Sequence, residues 1–152
     1  MIDIIDKLFD DDYCDYVYDY AKNNFITESR YSIDWKIKKN TNKEFENKIK
    51  SKISHLINFN DYRANKIFLT EYFENDSLVY HVDNGSVDNL IIQLTSDFTG
   101  GEFIIDDNFF NVNKGDCIRF NGSKLKHGLT PIKSGIRAAL NIWISPIGKK
   151  IL

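Results

Sequence analysis

His81 and Asp83 stand two residues apart in Val79-Tyr80-His81-Val82-Asp83, and further along come His127-Gly128-Leu129-Thr130-Pro131 and then Arg137. In a β-strand, residues i and i+2 point to the same face, so the His81 imidazole and the Asp83 carboxylate can reach one ion together. A second histidine from a distant strand, His127, completes a set of two nitrogens and one oxygen. Three such donors on one face of an octahedral ion leave three positions open, the arrangement of a mononuclear non-haem Fe(II) centre. Arg137 adds an anchor beside it. Its planar fork of N–H donors suits a carboxylate, and a buried guanidinium is costly without a partner.

Each of these residues also has a plainer reading. A His-x-Asp tripeptide is common by chance, and a single histidine near an apolar strand is more often a hydrogen-bonded structural residue. The combination with His127 and Arg137 is what favours a metal. For Arg137 the competing reading is a salt bridge to a buried acid such as Glu71 or Glu102. The third histidine, His55, falls on the Lys48 and Lys52 side of a helix and is assigned to solvent. Asp106-Asp107 is read as solvated turn chemistry.

The elements that must position these side chains follow from periodicity. Asp10, Asp11 and Asp12 precede Tyr13, Val17, Tyr20 and Ala21, which predicts a helix from about Asp11 to Asn23 with carboxylates at its positive end. Thr41-Asn42-Lys43-Glu44 has the form of a capping box and predicts a second helix through Phe45, Ile49, Ile53, Leu56 and Ile57. Between them, Ser32 to Ile37 alternates like a strand. From Lys66 onward the pattern turns to short β-prone runs, at Ile67 to Phe73, Leu78 to Val82, Leu90 to Thr95, Glu102 to Asp106, Asp116 to Phe120 and Arg137 to Ile144. Turn residues separate them. Two helices followed by many evenly spaced strands predict an α+β, mainly β protein with a small sandwich or jelly roll. In the last strand, alternation puts Arg137, Ala139, Asn141 and Trp143 on one face and Leu140, Ile142 and Ile144 on the other. Lys133-Ser134-Gly135 reads as the turn that brings the chain from the His127 strand into this one. His127 and Arg137 are thereby expected on adjacent strands, with Tyr72 on a neighbouring strand. Asn84 to Asp88 and Thr27 to Ser32 are the expected lids.

The 152 residues predict one domain, with a helical support region over 1–65 and the β core over 66–146. A formal net charge of -2 gives no field that favours nucleic acid or anionic membrane. Cys14 and Cys117 are too few and too far apart for a disulfide framework or zinc cluster, so packed thiols are expected. The acidic N-terminus and the lack of a long apolar run predict a cytoplasmic chain without signal peptide or membrane span. Neither a nucleophile elbow nor a phosphate loop occurs.

From about Leu69 to Pro146 the residues resemble the Fe(II)- and 2-oxoglutarate-dependent dioxygenases, in particular the prolyl-4-hydroxylase-like branch. The likeness lies in the Tyr72 to His81 spacing, His81-Val82-Asp83, Gly100-Gly101-Glu102-Phe103, Lys114-Gly115-Asp116 before Phe120, and His127-Gly128-Leu129-Thr130-Pro131 continuing to Arg137. The resemblance implies a double-stranded β-helix, the cupin-like jelly roll, with His81, Asp83 and His127 on iron and Arg137 on the distal carboxylate of 2-oxoglutarate. It implies further cofactor contacts from Tyr72 and Trp143, with Asn141 on the same face, and O2 as co-substrate with ascorbate as an accessory reductant. The implied reaction hydroxylates an aliphatic C–H, a prolyl or other side chain of a protein or peptide first, and releases succinate and CO2. The alternatives are an oxygenase of a free amino acid or small metabolite, and a non-catalytic jelly-roll binding module. Where several relatives carry another tyrosine on 2-oxoglutarate, this chain has Gln93. Trp143 stands where DNA-repair members carry a further arginine, which argues against a nucleobase substrate. The N-terminal part matches only loosely, and substrate binding in relatives involves that region.

Overall fold

Acidic side chains start the first helix as the sequence predicts. In the computed structural model, which describes residues 1–28 and 36–148, β1 (Asp3–Ile5) leads into α1 (Asp11–Asn24). The Asp10 carboxylate caps α1 by accepting the Tyr13 N–H at 2.7 Å. Short β2 (Ile26–Glu28) and β3 (Lys36–Lys39) precede α2 (Lys43–Ile53). Of the strand expected over Ser32 to Ile37, only its last two residues are within the described residues, as are only Thr27 and Glu28 of the expected lid from Thr27 to Ser32. The cap of α2 is Asn42, not Thr41: its side chain accepts the Phe45 N–H at 2.9 Å. The helix also ends earlier than expected, with Leu56 and Ile57 held in a closing turn by their N–H bonds to the Ile53 carbonyl.

The β region comprises β4 (Tyr62–Tyr72), β5 (Leu78–His81), β6 (Asp88–Gln93), β7 (Phe98–Gly100), β8 (Phe103–Ile105), β9 (Asn108–Phe110), β10 (Cys117–Phe120), β11 (His127–Leu129), β12 (Ile132–Gly135) and β13 (Arg137–Pro146). Among the described residues they form a seven-stranded sheet in the order β1-β10-β6-β13-β4-β3-β2, a four-stranded sheet β5-β11-β8-β9 and the pair β12-β7. Every strand pair is antiparallel. The mainly β, helix-buttressed jelly-roll architecture is thus the one expected. Asp106 and Asp107 both take positive φ, 49° and 66°, between the paired Ile105 and Asn108. That makes them the two central residues of a tight hairpin turn.

Two corrections matter for the site. Lys133-Ser134-Gly135 is not a turn but part of strand β12, which pairs with β7. Consequently His127 and Arg137 are not on adjacent strands. β11 lies between β5 and β8 in the smaller sheet, while β13 lies between β6 and β4 in the larger one. The two residues face each other across the sandwich.

Alternation along the strands divides the interior in two. Leu69, Leu90, Ile92, Leu140 and Ile142 join Cys14, Val17 and Ala21 of α1 and Phe45, Ile49 and Ile53 of α2 in one apolar cluster on the outer face of the large sheet. Ile91, Phe103, Ile105, Phe120, Leu129 and Ala139 form a second cluster between the sheets. Cys14 and Cys117 are buried free thiols, pushed up to about 11 and about 12 by burial. No helix among the described residues is long and apolar enough to cross a membrane.

Candidate metal centre

β5 and β11 pair so that His81 and His127 sit directly opposite each other, with ring centroids 4.5 Å apart. The ligating atoms of His81, Asp83 and His127 all lie within 4.8 Å of one another. Both imidazoles are oriented the same way. His81 Nδ1 lies 2.6 Å from the Val79 carbonyl and His127 Nδ1 lies 3.0 Å from the Leu125 carbonyl. A carbonyl only accepts, so both Nδ1 atoms carry the proton, which turns the two Nε2 atoms inward. There they meet Asp83, with His81 Nε2 at 3.0 Å from Oδ1 and His127 Nε2 at 2.9 Å from Oδ2.

This arrangement demands positive charge at its centre. With Nδ1 protonated, a neutral ring presents a lone pair at Nε2, and two lone pairs facing a carboxylate repel unless a proton or a metal ion stands between them. The ionisation of the group reflects this. Burial pushes the Asp83 carboxyl up, yet the hydrogen bonds from His127 and His81 overcome that and hold it well below the usual carboxylate range. The bond to Asp83 raises His81, with burial pulling the other way. Two nitrogens and one oxygen on one side of an ion suit non-haem Fe(II), and the apolar flank fits too: Phe120 packs edge-on against His127 at 4.9 Å.

Arg137 lies on the opposite wall of the same cavity, a space of about 630 Å³ that His81, Asp83, His127, Tyr72, Asn141 and Trp143 also line. It is 3 % exposed. Among the described residues no carboxylate lies within ion-pair distance of it. Glu71, one of the acids named in the competing salt-bridge reading, instead accepts from the Tyr18 hydroxyl at 2.7 Å. The Arg137 guanidinium carbon lies 5.9 Å from the Tyr72 ring and 5.7 Å from the Phe103 ring, where aromatic faces favour a cation. Burial pulls the guanidinium down to about 10, and burial likewise pushes the Tyr72 phenol up to about 12. Tyr72 is the direct cross-strand partner of Arg137. Gly101, at φ +62°, packs beside the Arg137 side chain: a Cβ there would press on Ile132 and stand 3.4 Å from Arg137 Cδ.

Asn141 donates to the Thr70 hydroxyl at 3.0 Å, and Trp143 meets Phe68 edge-on at 5.5 Å. Gln93 is buried on β6 but is not part of the cavity wall. Its Nε2 donates to the Thr95 carbonyl at 3.0 Å, and its Oε1 has no partner among the described residues. His55 is exposed, as expected. Sequence reasoning missed Asn89, which donates to Asp83 Oδ2 at 2.9 Å. The i, i+2 spacing to Ile91 gives the face of β6 on which Asn89 lies, but not its contact with Asp83 in a different part of the fold.

No protein-family model matches this chain, and no curated protein matches it in sequence. Solved structures do match. The viral collagen prolyl hydroxylase of Paramecium bursaria Chlorella virus 1, in its 2-oxoglutarate complex, superposes with a TM-score of 0.77 at 20% identity, covering 97% of this chain and 96% of that one. The chain has the fold of the 2-oxoglutarate- and Fe(II)-dependent oxygenases. HygX of Streptomyces hygroscopicus, with nickel and 2-oxoglutarate bound, gives a TM-score of 0.75 at 11% identity, over 96% of this chain and 83% of that one. A prolyl hydroxylase of Trichoplax adhaerens, in complex with a hypoxia inducible factor peptide fragment, gives 0.71 at 15% identity, over 95% and 83%. In this oxygenase fold, the chain sets a His-Asp-His triad and a buried arginine into one cavity.

Proposed function

We propose that this chain is an Fe(II)- and 2-oxoglutarate-dependent dioxygenase that hydroxylates an aliphatic C–H. The observation that carries this reading is the pairing, within one cavity, of three inward-turned metal donors with a buried Arg137 that no carboxylate among the described residues neutralises. In this reading residues 1–152 work as one domain. His81, Asp83 and His127 would hold the iron, and Arg137 with Tyr72 would hold the far carboxylate of 2-oxoglutarate. When bound, iron with 2-oxoglutarate and O2 supplies the oxidising power that exchanges a C–H hydrogen for hydroxyl, with release of succinate and CO2.

The chain's own residues supply orientation and exclusion of water. The Nδ1–H bonds to Val79 and Leu125 fix both imidazole rings, which leaves Nε2 as the only ligating atom each can offer. Arg137 stays cationic at neutral pH and gives a dicarboxylate a fixed direction, so the keto-acid end points at the triad across the sandwich. Ile91, Phe103 and Leu78 line the cavity with apolar surface that strengthens both interactions. Asn141 and Trp143 complete the co-substrate wall. Ascorbate would serve only to restore iron oxidised off the main path.

For the substrate we take a prolyl or other side chain of a protein or peptide first. The peptide held by the Trichoplax adhaerens prolyl hydroxylase supports this. Anaerobic titration of the metal-free protein with Fe(II) and 2-oxoglutarate tests the core of the proposal. A visible charge-transfer band is expected, absent in His127→Ala and requiring roughly 30-fold or more 2-oxoglutarate in Arg137→Ala, the loss of hydrogen bonds to a charged group. No band from folded wild-type protein would overturn the oxygenase reading. Proline-rich peptides should then gain one oxygen atom in mass with matching succinate, and succinate without a modified peptide would move the substrate to a free small molecule.

A further inference from the structure

Asp83 is the one member of the triad that no strand positions. β5 stops at His81, so the carboxylate needs other restraints. Its backbone N–H donates to the Gly122 carbonyl at 2.8 Å. Its side chain touches three donors, but two of these are His81 Nε2 and His127 Nε2, atoms that turn to the metal when one is bound. The contact that survives loading is Asn89 Nδ2 on Oδ2, at 2.9 Å. Asn89 reaches over from β6 of the large sheet and is 1 % exposed.

An asparagine amide has two orientations, and only one puts N–H against a carboxylate. Ser86 selects it. The Ser86 hydroxyl lies 2.5 Å from Asn89 Oδ1 and 3.2 Å from the Asp88 carbonyl, and its single proton goes to the shorter contact. That leaves Asn89 Nδ2 facing Asp83. Gly122 forms the seat: a Cβ there would stand 2.3 to 2.6 Å from the Asn89 amide atoms.

Resting on the metal centre proposed above, we propose that Asn89, set by Ser86 and seated on Gly122, is the positioning residue for the Asp83 ligand. A neutral amide suits this task. It fixes the carboxylate without cancelling its charge, whereas Lys or Arg at this place would compete with the metal for it. Removing Asn89 frees the carboxylate to turn and leaves Oδ2 without a protein donor in the loaded state.

The test is Mn(II) affinity, read anaerobically from the electron paramagnetic resonance of the free ion, together with the unfolding midpoint of each metal-free variant. Asn89→Ala is expected to bind Mn(II) roughly 10- to 100-fold more weakly than wild type. Ser86→Ala should lose less, because the donor remains but is no longer oriented, and Gly122→Ala should weaken binding by displacing the amide without removing any polar atom. A purely structural role predicts a lower unfolding midpoint with unchanged affinity in the folded protein. Affinities within twofold of wild type in folded Asn89→Ala would overturn the assignment. Should Asn89→Ala not fold, wild-type affinity in both Ser86→Ala and Gly122→Ala would do so instead. Wild-type protein that takes no Mn(II) would overturn the metal centre itself, and this assignment with it.

Discussion

The two faces of the seven-stranded sheet are built from the same strands by alternate residues, and they serve opposite ends. Toward the helices, Leu69, Leu90, Leu140 and Ile142 meet Val17, Phe45 and Ile49 in a closed apolar layer. Toward the smaller sheet, Thr70, Tyr72, Asn89, Arg137 and Asn141 point into a cavity. On the first face every buried side chain gains by leaving water. On the second, a guanidinium is taken out of water with no carboxylate partner among the described residues, a cost that a bound dicarboxylate would offset. A period of two residues along β13 thus separates the chain's stability from its chemistry.

The comparison breaks if a change on one face behaves like a change on the other. Leu140→Ala should produce the largest effect, lowering unfolding free energy by about 3 kcal/mol through lost burial and a residual cavity. Its Mn(II) and 2-oxoglutarate affinities should match wild type, and a parallel fall in both would show that the faces are coupled. Three residues back along β13, on the other face, Arg137→Met should act in the opposite direction. Replacing a buried charge that has no carboxylate partner among the described residues by an apolar side chain of similar reach should raise the stability of the ligand-free protein by about 1–2 kcal/mol while 2-oxoglutarate binding is lost. Denaturant unfolding of both variants measures this, and an Arg137→Met protein as weakened as Leu140→Ala would make Arg137 a structural residue.

Much of this division was legible beforehand, because it is local. The alternation of Arg137, Asn141 and Trp143 against Leu140, Ile142 and Ile144 could be read directly from the sequence, as could the Asp10-led helix and the Asp106-Asp107 hairpin. What could not be read was partnership between strands. His127 and Arg137 were expected on adjacent strands because Lys133-Ser134-Gly135 reads as a turn, yet Lys133 and Ser134 extend along β7 as β12 and carry the chain from one sheet to the other. The pairing that brings His81 opposite His127, and the reach of Asn89 to Asp83 across the sandwich, are likewise nonlocal. Short strands such as β1 and β9 escaped notice for another reason: three residues are too few to show a period. At α2, two neighbouring residues could each cap, and Asn42 wins over Thr41 because its carbonyl reaches the Phe45 N–H.

The finest distinction between the faces is their response to pH in the metal-free protein, since the cavity face carries His81 and Asp83, whose ionisations are tied to each other. His81 is raised above its ordinary value near 6.5 by its bond to Asp83. A base raised on folding contributes stability that is fully present below the unfolded value and is lost as pH rises through the folded one. Asp83 is lowered, and its contribution is present above the unfolded carboxylate range and lost as pH falls below it. Metal-free protein should therefore be most stable between these limits and should weaken above neutrality, by at most about 1.4 kcal/mol per pH unit for one proton. Mn(II) reverses the upper limb. The ion needs Nε2 unprotonated, so its affinity should climb with pH through the range in which the metal-free protein loses stability. Asp83→Asn, which removes the charge that raises His81, should flatten the stability profile near neutrality, whereas Leu140→Ala should lower the whole profile without changing its shape. Unfolding midpoints across the pH range decide this: a changed shape in Leu140→Ala, or a flat profile in wild type, would mean that the two faces do not divide the work as their side chains indicate.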